Sequence, residues 1–217
     1  MSKTFTCILN QDVVKFTNFT TSLDSSMTYR EFDALIPRRQ RAKLSINSRL
    51  AGGLWQYYDL NKQLEGQGAD PKNTPLLILN RYANWDYITE MMCSDIAVTL
   101  EAVNSYVATA WFPASLQGYL TIEQGNKAEA ITLATNNVHM QAAAIESLFL
   151  RNLQGEKIGA VVVGTFECLP KRIGAHNITD GKPVAFGAFS LISSESSKED
   201  ISEILSAHKE LYRYVKN

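Results

Sequence analysis

Apolar positions along this chain fall into short unbroken runs that alternate with stretches of helical spacing. Residues 4–10 alternate and are rich in β-formers, which predicts a strand, and the Thr/Ser-rich residues 17–26 predict a loop. Leu44, Ile46, Leu50, Leu54, Trp55 and Tyr58 recur at roughly helical spacing, so residues 37–64 predict one helix that opens at Pro37 and stops before Gly66, Gly68 and Pro71. The continuous apolar run of residues 76–80 predicts a buried strand, followed by an asparagine-capped helix over residues 84–96. Residues 112–122 form a compact apolar stretch broken by Gly125. Residues 130–135 predict a strand, and residues 140–153 an alanine-rich helix stopped by Gly155. Residues 158–164 and 184–192 predict two further buried strands, and residues 199–215 an amphipathic closing helix. Strands alternating with helices, with central strands as uniformly apolar as Gly-Ala-Val-Val-Val-Gly, predict an α/β architecture. No repeat, heptad pattern or low-complexity tract interrupts it.

Composition narrows the picture by exclusion. The chain has 217 residues, 45% hydrophobic and 20% charged, enough for one domain spanning residues 1–217. A formal charge of -1 supplies no basic field for nucleic acid. The N-terminus does not read as a secretory leader, and no run approaches the length of a membrane span, so a cytoplasmic protein without membrane insertion is expected. Cys7, Cys93 and Cys168 lack metal-ligand spacing and are expected to be reduced thiols; the sequons at Asn18 and Asn177 then carry no weight. His139, His176 and His208 have no spacing to one another or to a cysteine that builds a catalytic pair or a metal site.

One long segment carries a resemblance. Phe112, Pro113, Ala114 and Ser115, then Gly118, Leu120, Thr121, Ile122 and Gly125, then the apolar strand of residues 131–135 and the helix after it follow the order of the nucleophile region of β-ketoacyl synthases, members of the thiolase-fold condensing enzymes. Residues 159–164 are similar to the strand that follows there. Ala128 and Glu129 replace the family's Gly-Pro pair, and the helix between Pro113 and Gly118 is about a turn shorter than in a typical member. Weaker matches run through residues 38–60 and 74–92, and residues 184–192 align with the family's E-G-A-G-A strand. The chain thus resembles the N-terminal half of a ketosynthase, a family roughly twice as long, and is similar to chain-length-factor subunits and to short ketosynthase-like proteins of bacterial polyene-type clusters.

The resemblance implies a thiolase-like fold, N-terminal half, with a mixed sheet covered by helices. Its register places Asn137 where the family carries its catalytic cysteine, and the family's two histidines would lie in a half this chain lacks. An amide forms no thioester near neutral pH, so self-contained condensation is not expected. The expected role is a catalytically silent partner of an active ketosynthase subunit in fatty-acid-like, polyene or polyketide synthesis. No cofactor would be bound by the chain itself; the phosphopantetheine of a partner acyl carrier protein could be presented to it.

The family pairs through the strand matching Ile131, Thr132, Leu133, Ala134 and Thr135, so these residues, with Tyr106, Trp111 and Phe112 nearby, are the expected interface. Packing alone is the alternative for the aromatic residues. Arg38, Arg39, Arg41, Lys43 and Arg49 place cations at the start of a helix, where the dipole favours acids. Docking of an acidic carrier protein and simple pairing with acids such as Asp33 explain this equally well. Two further roles stay open: an acyl-thioester enzyme using Cys168, a serine or a bound water, and a homodimeric module that binds acyl thioesters without turnover.

Overall fold

A computed structural model of the chain describes residues 3–18, 21–82, 112–153, 159–169, 172–173, 176–177, 184–193 and 196–213. The first strand, β1 (Lys3–Asn10), turns through Gln11, at φ 58°, into β2 (Val13–Asn18), which pairs antiparallel with β3 (Thr21–Thr28). Four helices follow, α1 (Tyr29–Asp33), α2 (Arg38–Arg41), α3 (Ile46–Tyr57) and α4 (Leu60–Glu65), before the buried strand β4 (Leu76–Asn80). After residues 83–111 come α5 (Ser115–Gln124), β5 (Ala130–Ala134), α6 (Val138–Leu153) and β6 (Ala160–Cys168). The two-residue strands β7 (Arg172–Ile173) and β8 (His176–Asn177) pair with each other; β9 (Val184–Ser193) and α7 (Lys198–Leu211) complete the described elements.

Seven strands form one mixed sheet in the order β3-β2-β1-β9-β6-β4-β5. β4 runs parallel to both β5 and β6, while β9 is antiparallel to β6 and β1. Alternate residues of β4 feed two cores. Leu76 and Ile78 pack with Val162 under α3 and α5, and Leu77 and Leu79 pack with Val161 and Val163 under α6 and α7. Every residue of β6 is buried, its apolar start facing both cores and its Thr165 and Glu167 hydrogen-bonded inside. Gly52 and Gly53 let α3 approach closely: a Cβ at Gly52 would lie 2.5 Å from the Tyr119 hydroxyl, and one at Gly53 2.5 Å from the Phe32 ring.

Two expectations are corrected. Residues 17–18 end β2 and residues 21–26 form most of β3 rather than a loop, because cross-strand pairing of β3 with Lys15, Phe16 and Asn18 supplies backbone hydrogen bonds to a strand with little apolar content. Residues 37–64 are three helices rather than one. The Ser45 hydroxyl accepts from Ser48 N–H and starts α3 afresh, and Asp59, left-handed at φ 47°, ends that run and caps α4. The helix expected over residues 84–96, with Cys93, and the stop at Gly155 lie outside the described residues. Among the described residues no helix is long and apolar enough to cross a membrane.

Candidate functional site at the turn after β5

The path into the turn is fixed from both ends of β5. Gly125, in the left-handed region at φ 60°, closes α5 by donating to the Ile122 carbonyl at 3.2 Å, while Asn126 N–H reaches Thr121 at 2.8 Å. The Asn126 amide then donates to the carbonyls of Pro71 and Thr74 and accepts from Ala128 N–H, seating the chain beside β4. At the other end, Thr135 N–H donates to the Asn80 carbonyl at 3.0 Å. β5 is thereby held in parallel register with β4, Ile131 opposite Leu77 and Leu133 opposite Leu79.

Asn137 is the residue that opens α6. Its side-chain oxygen accepts from His139 N–H at 3.0 Å and Met140 N–H at 3.3 Å, and its own N–H donates to the Thr135 hydroxyl at 3.2 Å. The Gln141 amide ties the turn down by donating to the Thr135 carbonyl at 2.9 Å. Asparagine is among the best residues for this capping geometry, worth about 1 kcal/mol over alanine. Asn137 is exposed and its amide oxygen is committed to the backbone; a neutral carboxamide there offers no nucleophile. His139 is also exposed on the first turn, and among the described residues its side chain has no hydrogen-bonded partner.

β5 is the edge of the sheet among the described strands, with β4 as its one neighbour there. Ile131, Thr132 and Leu133 are half-buried, Ala134 is exposed, and Thr132 donates to Gln117 of α5 at 3.1 Å. The helices on either face of this strand expose Ile122, 82% accessible, and Met140, while Phe112 before α5 is 63% accessible. Tyr106 and Trp111 lie outside the described residues. The cationic group divides in two: Arg41 and Arg49 reach the Asp33 carboxylate at 3.3 and 3.7 Å, whereas Arg38, Arg39 and Lys43 are exposed around α2.

Two buried polar groups near the turn have partners that spacing along the sequence does not give. His208 is held between the Thr165 hydroxyl, 2.8 Å from Nδ1, and the Ser190 hydroxyl, 2.9 Å from Nε2, and Ser190 continues to Thr4 at 2.7 Å. Burial pushes this imidazole down to about 4, so it is neutral at physiological pH. Glu167, fully buried at the end of β6, accepts from the N–H groups of Arg81 and Tyr82 and from the Tyr212 hydroxyl, 2.7 Å away. Burial, and next the Glu167 carboxylate, push the Tyr212 phenol well above its ordinary value. Both had a signal in the sequence: His208 falls in the apolar spacing Ile201, Ile204, Leu205, Leu211, and Glu167 sits in an otherwise uncharged buried strand. Cys7 and Cys168 are buried, and burial raises the Cys7 thiol far from its reactive form. The described residues contain no cluster of potential metal ligands.

No protein-family model matches the chain, and no curated protein matches it by sequence. Among solved structures, a chain of the ketosynthase ApeO in complex with its chain length factor ApeC from Xenorhabdus doucetiae is similar over 90% of this chain and 81% of that one, with a TM-score of 0.53 and 14% identity. The likeness is one of fold. A seven-stranded mixed sheet covered by helices, matched at this coverage, is the thiolase-like fold that the sequence resemblance implied.

Proposed function

We propose that this protein is a catalytically silent, chain-length-factor-like subunit that pairs with an active β-ketoacyl synthase. The observation that carries the reading is the turn after β5. There the family resemblance calls for a thiolate, and Asn137 instead spends its side chain capping α6. A residue with that role stabilises the turn and leaves the chemistry to a partner. The similar chain comes from a complex of a ketosynthase with its chain length factor, and the uncharged edge strand β5, flanked by exposed Ile122 and Met140, suits pairing of the same kind. In this reading Ile131, Leu133 and Phe112, together with Tyr106 and Trp111, form the contact with the partner. The exposed Arg38, Arg39 and Lys43 meet an acyl carrier protein, and Arg41 and Arg49 brace that surface through Asp33.

Reconstituted condensation tests the proposal. The partner ketosynthase is expected to extend a carrier-bound acyl chain only when this protein is present, and Asn137→Ala should support the same turnover as wild type at a temperature where both are folded. Condensation by the partner alone at the full rate would reject the proposal. Thioester cleavage by this protein alone, lost on a single substitution, would instead establish an independent acyl-thioester enzyme.

A further inference from the structure

The outer face of α6 stays apolar where a helix packed on one side ordinarily turns polar residues to solvent. α6 rests on the sheet through Ile145 and Leu148, both fully buried, with Val138, Ala142 and Phe149 packed beside them. On the side away from that core Met140, Ala143 and Leu150 are exposed and Ser147 is half-buried. Met140 keeps 53% of its surface accessible and Leu150 65%. These four positions lie three, four and three residues apart, which sets them in one row along the helix. Among residues 140–150 the one acid or base is Glu146, and it is ion-paired with Lys198 of α7 at 3.8 Å, so the row carries no net charge.

The row reads the same from either end, with large Met140 and Leu150 outside and small Ala143 and Ser147 between them. A second α6 laid antiparallel about a two-fold axis therefore sets Met140 against Leu150 of the second copy, and Ala143 against Ser147 of the second copy. Each contact then occurs twice, as a self-complementary interface requires. The small central residues let two helix axes approach to about 8 Å, and the larger end residues close over the gap. An uncharged row also needs an uncharged face opposite it, because a charge brought there would lose water without gaining a counter-charge. The same row of another molecule meets that condition. We infer that the outer face of α6 is a self-association surface whose occupant is the same face of a second copy of this chain. From Met140 to Leu150 the helix runs about 15 Å, and a contact of that length buries less than the roughly 1,200 Å² of a standard interface. The dimer is accordingly weak, with a dissociation constant on the order of 0.1 mM, and micromolar solutions hold monomers. The surface is distinct from the β5 edge, so the inference does not rest on the pairing reading.

Sedimentation equilibrium of the full 217-residue protein alone, from about 10 μM to about 1 mM, tests the inference. Wild type is expected to show a reversible monomer–dimer equilibrium. Met140→Glu and Leu150→Lys each bring two unpaired charges into the contact by symmetry and should weaken it about tenfold or more. Each new charge suits its own end of the helix dipole, so circular dichroism should stay unchanged. The double variant Met140→Glu/Leu150→Lys sets opposite charges against each other at both ends of the antiparallel row and should return the dissociation constant to within about threefold of wild type. Leu133→Lys, on the β5 edge, should leave the equilibrium where it was. A wild-type monomer at about 1 mM, single variants that associate like wild type, a double variant no stronger than the singles, or dissociation by Leu133→Lys would overturn it.

Discussion

Among the described strands, the two edges of the sheet are built on opposite plans. β3, at one end, reads Thr-Ser-Leu-Asp-Ser-Ser-Met-Thr and meets β2 through a register irregularity between Phe16 and Asn18. Polar residues, a charge and an irregular ladder are devices that discourage a second chain from pairing with an edge. β5, at the other end, reads Ala-Ile-Thr-Leu-Ala, with no charge, no proline and a regular parallel ladder to β4. One edge is defended and the other is left receptive, and the receptive one leads straight into the turn capped by Asn137. The difference marks β5 as the edge where the proposed pairing is to be tested.

The strongest way to break this comparison is to put a charge on each edge. Leu133→Lys should weaken association with the partner by about a thousandfold, near 4 kcal/mol, as read by surface plasmon resonance. Ser26→Glu, opposite Lys15 on the other edge, should leave affinity unchanged and move stability by no more than about 0.5 kcal/mol. Between the edges, the buried His208 makes the sheet acid-sensitive. Its imidazole titrates near 4 when folded and at the ordinary 6.5 when unfolded, so between those values the unfolded chain holds the extra proton. Stability is therefore full above pH 6.5, rises with pH through that window, and loses about 3 kcal/mol as pH falls to 4. Urea midpoints at pH 4.5 and 7.5 should show this loss for wild type, and a smaller one for His208→Gln.

Smaller effects sharpen the β5 side. Glu167→Gln keeps an acceptor for some of the donors described around it and should cost about 2 kcal/mol in thermal unfolding, loosening Arg81 and Tyr212 together. Asn137→Ala should cost about 1 kcal/mol by removing the cap, and Asn137→Asp, which keeps the acceptor and adds a charge favourable at a helix start, should cost nothing measurable.

The β5 side was also the more legible half of the sequence. β4 and β5 are short buried or half-buried runs of Leu, Ile and Thr, and tertiary packing agrees with local pattern there, so the predicted bounds stand close to those observed. The pairing of β2 with β3 was not legible, because the Thr/Ser-rich residues 17–26 carry the composition of a loop, and residues 17–18 and 21–26 gain strand geometry only from a neighbour. Within the apolar periodicity of residues 37–64, Ser45 and Asp59 each cap a helix and cut the run into pieces. At the site, alignment along the chain located Asn137, but the partners of His208 and Glu167 come from strands and turns far apart in sequence. Spacing alone carries no information on such pairs.

Light scattering on this protein co-expressed with the ketosynthase of its own gene neighbourhood tests the central claim most directly. The account predicts a one-to-one complex for wild type that separates into its subunits with Leu133→Lys and persists with Ser26→Glu. A complex that survives Leu133→Lys, or a wild-type chain that elutes alone in the presence of that ketosynthase, would contradict it.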